Sequence, residues 1–315
     1  MKIILLGEPM GLFMAQEPGP LSQARQFSAS IAGAEYNVAV GLSRLGHVPA
    51  YCTRLGQDPM GQRVLDGMSQ NHIDKSLVMT APGEPTGLML KGMALSGDPD
   101  IAYYRQGSAA SRITPQDIEQ LDLSGCGRLH VTGVFPAVSA SALAAVRRLV
   151  QRAQDLQLPI SFDPNLRPQL WPSEEEMVRT LNSLAEGAET ILPGINEGKT
   201  LTGQDTPEGV AAYYHGMGIT NVVVKLGGQG SFWSVRGGGS GYAPAVKVEK
   251  VVDTVGAGDG FAAGVISALA EGLSLPEANR RGLAIGAIQV SHKSDNEGLP
   301  TRERLEEVLA AGRVD

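Results

Sequence analysis

The chain has 315 residues, 42% hydrophobic and 19% charged, with 40 glycines and a formal net charge of −7. That composition suits a large core crossed by many tight turns, and an acidic balance without a Lys/Arg run argues against nucleic acid or an anionic membrane as partner. No stretch approaches the ~18 apolar residues of a membrane span, and MKIILLGEPM is too short an apolar run for a signal peptide, so a cytoplasmic protein is expected.

Strand-like and helix-like segments alternate along the chain. Lys2–Leu6 is a short apolar run before Gly7. Tyr36–Leu45 has helical spacing and ends at Gly46, a natural C-cap. Ala50–Arg54 reads as a strand, Gly61–Asn71 as a helix, and Arg128–Val131 as a strand turning at Thr132-Gly133. An amphipathic helix spans Ser141–Leu156, and Pro159–Phe162, Thr190–Leu192 and Asn221–Lys225 are further strands. This alternation implies βαβ units and a mainly parallel sheet in a single α/β domain over residues 1–315. Glu8–Ile31 and Thr86–Arg105 break the rhythm, and Gly87–Met93 with Ile101–Tyr104 resembles a hairpin. A small β-lid from about 9–31 and 86–107 is therefore expected, with Gly237–Gly241 as a turn between two further strands.

Cys52 and Cys126 form no CxxC pair and read as buried free thiols of a reducing compartment. The five histidines are scattered without metal-ligand spacing. Met1–Gly11 lacks the GxGxxG of a dinucleotide-binding strand and turn. Leu192–Thr200 (LPGINEGKT) has three residues, not four, between its glycines, which argues against a phosphate-binding P-loop.

Val251–Gly264 (VVDTVGAGDGFAAG) is the most informative stretch. A β-branched pair, Val251-Val252, leads into Gly256-Ala257-Gly258, the carboxylate Asp259 and a small-residue helix over Ala262–Ala270. Such a turn gathers backbone N–H groups at a helix N-terminus, where they attract anions. A carboxylate there makes sense if it takes a proton from a hydroxyl that then attacks phosphorus. At the other end of the chain, Gly33 and Asn37 open a helix, and an amide so placed can hold a polyol hydroxyl as donor and acceptor.

The spacing Gly33, Asn37, Ala39, Gly46, Gly56 resembles the N-terminal signature of the PfkB (ribokinase-like) carbohydrate kinases. Asp253-Thr254-x-Gly256-Ala257-Gly258-Asp259-x-Phe261 resembles their C-terminal signature, in the right order and about 220 residues on. The resemblance implies a ribokinase-like three-layer α/β/α sandwich with a β-lid, and ATP and Mg²⁺ as cofactors. It implies Asp259 as catalytic base and the Gly256, Ala257 and Gly258 backbone as anion hole. Asp253 would order that loop, with a monovalent cation such as K⁺ nearby. Lys225, Gly227 and Gly230, in KLGGQG, resemble the nucleotide-proximal strand and turn, although the Gly228 region also reads as an ordinary hairpin. Glu197 falls on the glutamate of the family's NxxE motif, which supports Mg²⁺ through water, while Gly194 replaces the motif's Asn.

Tyr103-Tyr104-Arg105, SAAS at 108–111 and Asp163–Trp171 (DPNLR-x3-W) resemble the 2-keto-3-deoxygluconate kinase group of that family. In that group a tyrosine and two arginines hold an acid sugar, which adds Tyr103, Arg105 and Arg167 to Gly33 and Asn37 in the sugar pocket. Taken alone, each arginine also reads as a surface residue paired with a carboxylate. The implied reaction is transfer from ATP to the 6-hydroxyl of 2-keto-3-deoxygluconate. The alternatives are a fructokinase, a 5-dehydro-2-deoxygluconate kinase or a non-catalytic sugar or nucleotide sensor. Ala284, Ala287 and Ile288 read equally as core or as adenine contacts, and apolar Leu88 and Leu90 in the lid suggest a homo-oligomer.

Overall fold

A computed structural model describes residues 1–93 and 100–314; positions 94–99 of the expected lid lie outside the described residues. The chain opens with β1 (Lys2–Leu6), then β2 (Met10–Pro18) and β3 (Phe27–Ala32), which leave the main sheet. Next come α1 (Ala34–Arg44), β4 (Val48–Gly56), α2 (Pro59–Gln70) and β5 (Val78–Ala81). After β6 (Leu88–Met93) and β7 (Ile101–Tyr104) follow α3 (Pro115–Glu119), β8 (Cys126–Thr132), α4 (Ala140–Asp155) and β9 (Ile160–Asp163). The alternation continues through α5 (Glu174–Ala185), β10 (Thr190–Ile191), α6 (Ile195–Thr202), α7 (Pro207–Gly216) and β11 (Asn221–Lys225). The hairpin of β12 (Ser231–Val235) and β13 (Ser240–Ala243) precedes β14 (Lys247–Val248), α8 (Ala257–Ala270), α9 (Leu275–Val290), α10 (Arg302–Ala311) and β15 (Arg313–Val314), which pairs in parallel with β14.

The main sheet runs β13-β12-β11-β10-β9-β8-β1-β4-β5. It is parallel from β11 to β5 and antiparallel only at β11–β12 and β12–β13. Strands covered on both faces must be apolar on both, and Ile3–Leu6 and Val222–Val224 are all buried. Side chains alternate across the sheet, so Ile4 and Leu6 join Leu149, Met177, Leu201 and Val210 of α4 to α7 in one core. Ile3 and Leu5 join Val40, Val64, Val265 and Ile285 of α1, α2, α8 and α9 in the other. The result is the expected three-layer sandwich. Helix starts follow local capping: Asp58, Ser139 and Ser173 accept from Gly61, Ala142 and Glu176 N–H groups.

A separate four-stranded sheet, β3-β2-β6-β7, stands over the C-terminal ends of the parallel strands. Its inner face carries Met10, Ala32, Met89 and Tyr103 towards a cavity. On the opposite face, the register places Phe13 beside Leu90 and Leu88 beside Tyr104.

Two expectations are corrected, and one open reading is decided. Val251-Val252 is no strand: both side chains are exposed, and Val252 and Asp253 N–H donate to the Val290 carbonyl in an irregular loop. Cys126 is half-buried at the start of β8, unlike buried Cys52. Ala284, Ala287 and Ile288 are buried in the α8–α9 core.

Candidate active site

Where α1 meets α8, two pairs of residues one turn apart face each other. Asn37 and Gly41 lie on one face of α1, Asp259 and Ala263 on one face of α8. A Cβ on Gly41 would stand 2.8 Å from the Ala263 Cβ, so the helices can touch only because position 41 has no side chain. That close approach lets Asn37 Nδ2 donate to Asp259 Oδ2 at 2.8 Å. Asn296 Nδ2 donates in turn to Asn37 Oδ1 at 2.9 Å and to the Ile31 carbonyl at 3.2 Å, fixing which end of the Asn37 amide faces the carboxylate.

Asp259 is the third residue of α8, so the helix N-terminus lies beside it. The turn before it depends on Gly256, which has φ 77°. A Cβ there would lie 2.1 Å from the Asp295 carbonyl, so both the conformation and the space require glycine. The Ala257 N–H is turned back to the Thr254 carbonyl (3.3 Å), whereas Gly256 and Gly258 border the cavity.

The cavity of about 660 Å³ lies between lid and sheet. It gathers Gly33, Asn37, Tyr103, Arg105, Arg167, Glu197, Lys225, Gly256, Gly258 and Asp259 from both halves of the chain. Ala257, Asp253, Gly227 and Gly230 do not line it; the last two shape the turn between β11 and β12.

Burial drives the Asp259 carboxyl up to about 8. The Asn37 hydrogen bond opposes this, Asp163 and Glu35 add to it, and Arg167 pulls the other way. Such a group accepts a proton near neutral pH far more readily than an ordinary aspartate. Lys225 Nζ sits 2.8 and 3.0 Å from the two Asp163 oxygens. Burial alone would lower its pKa, but Asp163 and Glu197 reverse that and keep it charged.

Arg105 and Arg167 reach the cavity from different elements. Arg105 leaves β7 and its Nε donates to Glu8 Oε2 at 2.6 Å, while Ser108 Oγ donates to the other Glu8 oxygen. Glu8 is almost wholly buried, so this pair orients the guanidinium rigidly. Arg167 follows β9 in a loop turned by Asn165 at φ 38°, a left-handed conformation that Asn tolerates. The Arg167 Nη1 donates to the Leu166 carbonyl at 2.8 Å. Glu197 pins the same loop: its Oε1 accepts from Leu166 N–H (2.9 Å) and its Oε2 from Gly194 N–H (2.6 Å).

Reading the sequence residue by residue passed over Glu8, Lys91, Asp295 and Asn296, and left Asp163 without a role. Asp163 stands in the quoted DPNLR segment, whereas Glu8, Lys91, Asp295 and Asn296 carry no local signal.

A raised carboxylate beside a helix N-terminus, beneath a lid and facing one arginine from the lid and one from the loop after β9, suits a hydroxyl-directed phosphotransferase site. The chain belongs to the pfkB family of carbohydrate kinases, whose model matches residues 2–302. It is 44% identical over 312 residues to a 2-dehydro-3-deoxygluconokinase of Bacillus subtilis, covering 99% of this chain and 96% of that one. Its fold is similar to a crystal structure of a PfkB protein from Polaromonas sp. JS666 (45% identity, TM-score 0.88, 97% and 99% of the two chains). It is also similar to a putative ribokinase II from E. coli in complex with ATP and Mg²⁺ (25% identity, TM-score 0.90, 98% and 99% covered). The architecture is thus ribokinase-like, and among the described residues no helix is long and apolar enough to cross a membrane.

Proposed function

We propose that the protein phosphorylates 2-keto-3-deoxygluconate at its 6-hydroxyl, with ATP as donor, giving 2-keto-3-deoxy-6-phosphogluconate. The observation that carries this reading is the convergence of Arg105 and Arg167 on the cavity that holds Asp259. Two guanidinium groups there suit a sugar carboxylate at one end of the substrate, leaving the far hydroxyl for the base. The similarity to the B. subtilis kinase supports the same acceptor.

In this reading Asn37 and Gly33 border the sugar, and Tyr103 covers it from the lid. Asp259 takes the proton of the 6-hydroxyl as the hydroxyl oxygen attacks the γ-phosphorus in line, the bond from that phosphorus to the bridging oxygen breaks, and ADP leaves. The Gly256–Gly258 turn and the Lys225 ammonium face the charge that spreads over the transferring group. Gly227 and Gly230 border the nucleotide outside the sugar cavity. Mg²⁺ fits the donor set: among the described residues no cluster of three or more acidic, His or Cys side chains forms a cage, but an ion arriving on ATP phosphates with its waters needs only one or two carboxylates. Glu197 and Asp163, both at the cavity wall, would hold the ion through its waters, and the chemistry it would supply is charge neutralisation on the phosphates. Closing the lid excludes water and so limits idle ATP hydrolysis.

The outer lid face supports a homodimer. Tyr104 is 62% exposed there and Phe27 37%, beside half-buried Leu88 and Leu90. The acidic surface and metabolic chemistry fit a cytoplasmic enzyme.

The deciding experiment measures ATP consumption with 2-keto-3-deoxygluconate, fructose, 5-dehydro-2-deoxygluconate, ribose and adenosine. A clear preference in kcat/KM for the acid sugar is expected. Preference for fructose or another neutral acceptor would overturn the substrate assignment, and no turnover with any acceptor would favour a sensor.

A further inference from the structure

Lys91 lies on the inner face of lid strand β6, 6% exposed. Its ammonium sits 3.1 Å from Asp253 Oδ2 and 3.1 Å from Asp295 Oδ1. The three groups belong to three segments: the lid, the loop that leads to Gly256, and the tail after α9. Each carboxylate is tied to the anion-binding turn. Asp253 Oδ1 accepts the Val255 N–H at 3.0 Å. The Asp295 carbonyl is the atom that closes the space above Gly256. Gln289 Nε2 donates to both the Ser294 and Val255 carbonyls, so loop and tail move as one body.

Two carboxylates facing one another at the base of an anion site would repel each other and the incoming phosphates unless a cation lay between them. A monovalent cation at this place does not fit the residues present, because a covalently tethered ammonium already lies between the acids. Burial pulls the Lys91 pKa down, but Asp295 and Asp253 outweigh it, so the charge is kept.

We infer that Lys91 serves as a built-in monovalent cation, making the protein independent of K⁺ and coupling the lid to the Gly256–Gly258 turn. Lys91 is a positioning residue: it acts through Asp253 and Asp295 on the turn that receives the phosphates. Because the cation is carried by the lid, a displaced lid uncovers the two acids and loosens the turn. ATP is thus held in a reactive geometry only beneath a seated lid.

The inference rests on the kinase reading, but its test does not rest on the choice of sugar. Thermal unfolding of the wild-type protein and of Lys91→Met would be followed in KCl, NaCl, NH₄Cl and choline chloride at equal ionic strength, without any acceptor. Turnover would be measured in the same salts with whichever acceptor proves active. The wild type should show the same midpoint and turnover in all four salts. Lys91→Met should lose at least about tenfold in turnover in choline, as expected when a buried ion pair is broken, and should regain both turnover and midpoint in K⁺ or NH₄⁺. Several-fold activation of the wild type by K⁺ would overturn the inference, and so would a Lys91→Met protein with unchanged turnover, or one unresponsive to small cations. Should Lys91→Met not fold, the salt response of the wild type still decides the matter. Failure of the sugar assignment alone would leave the unfolding result standing.

Discussion

Asn37 and Asp259 are 222 positions apart in the chain and 2.8 Å apart in space. Their contact depends on bare backbone at Gly41 facing Ala263 one turn below. The amide stabilises the ionised carboxylate, while burial and the neighbouring acids favour its protonated form. The balance leaves the carboxyl at about 8, well above an ordinary aspartate.

Asp259→Asn should keep the fold and lower kcat by about 10²–10⁴-fold, the usual contribution of a positioned base. ATP affinity, read by calorimetry, should change little. Retained turnover would remove Asp259 from the chemistry.

The pH dependence follows from the same group. The base must be deprotonated, so kcat/KM for the sugar should fall below about pH 8, approaching tenfold per unit. Asn37→Leu removes the hydrogen bond that lowers the Asp259 pKa and should move this limb to higher pH. A stability effect has a definite sign. The folded pKa is raised, so between pH 4 and 8 the native state holds a proton that the unfolded chain has released. This group's contribution to stability is therefore present at low pH and lost as pH rises through about 8. Asp259→Asn should flatten that slope in a series of denaturant melts.

Arg167→Ala should raise KM for the acid sugar by roughly 10- to 150-fold, equivalent to about 1.5–3 kcal/mol for hydrogen bonds to a charged group. KM for ATP should stay within a few-fold. Equal losses for both substrates would argue against a carboxylate clamp. Arg105→Ala carries a second effect, since it leaves buried Glu8 without its partner. Its unfolding free energy should drop by about 3–5 kcal/mol.

Gly41→Val inserts side-chain atoms where even a Cβ would meet Ala263 at 2.8 Å. We expect α1 and α8 to separate, with stability lower by about 1–3 kcal/mol and turnover falling further than the change in stability explains. Normal turnover in a folded Gly41→Val protein would show that the Asn37–Asp259 contact is dispensable.

Leu90→Asp on the outer lid face should give a monomer in sedimentation velocity if the lid mediates a dimer. Turnover should fall less than for Arg167→Ala, because residue 90 points away from the cavity.

Much of the layered architecture was legible because it is periodic. The buried runs Ile3–Leu6 and Val222–Val224 read as covered strands, and the spacing of Ser141–Leu156 as an amphipathic helix. Asp259 stood out because a carboxylate just after GAG at the start of a helix has few structural uses. Other parts were not legible, for a physical reason. The Glu8–Arg105 and Lys91–Asp295 pairs join positions 97 and 204 apart, and a lone charge in a strand looks like a surface residue until its partner is placed. The Val251-Val252 pair misled because β-branched residues favour strands, yet among the described residues no strand pairs with it. Glu197 gave its type but not its use: at the third position of α6 it reaches back to Gly194 N–H and across to Leu166 N–H.

On the proposed reading the carboxylate that meets the hydroxyl stands on α8, whereas the arginines that face the cavity stand at the exit of β7 and in the loop after β9. Recognition and reaction are thus written in separate stretches of chain. Substitutions confined to 101–105 and 165–167 could redirect the protein to a new acceptor while the phosphate-transfer apparatus, Asp163 included, passes unchanged from ancestor to descendant. A lineage built this way can diversify its diet of sugars by local edits, without reinventing the step it performs on them.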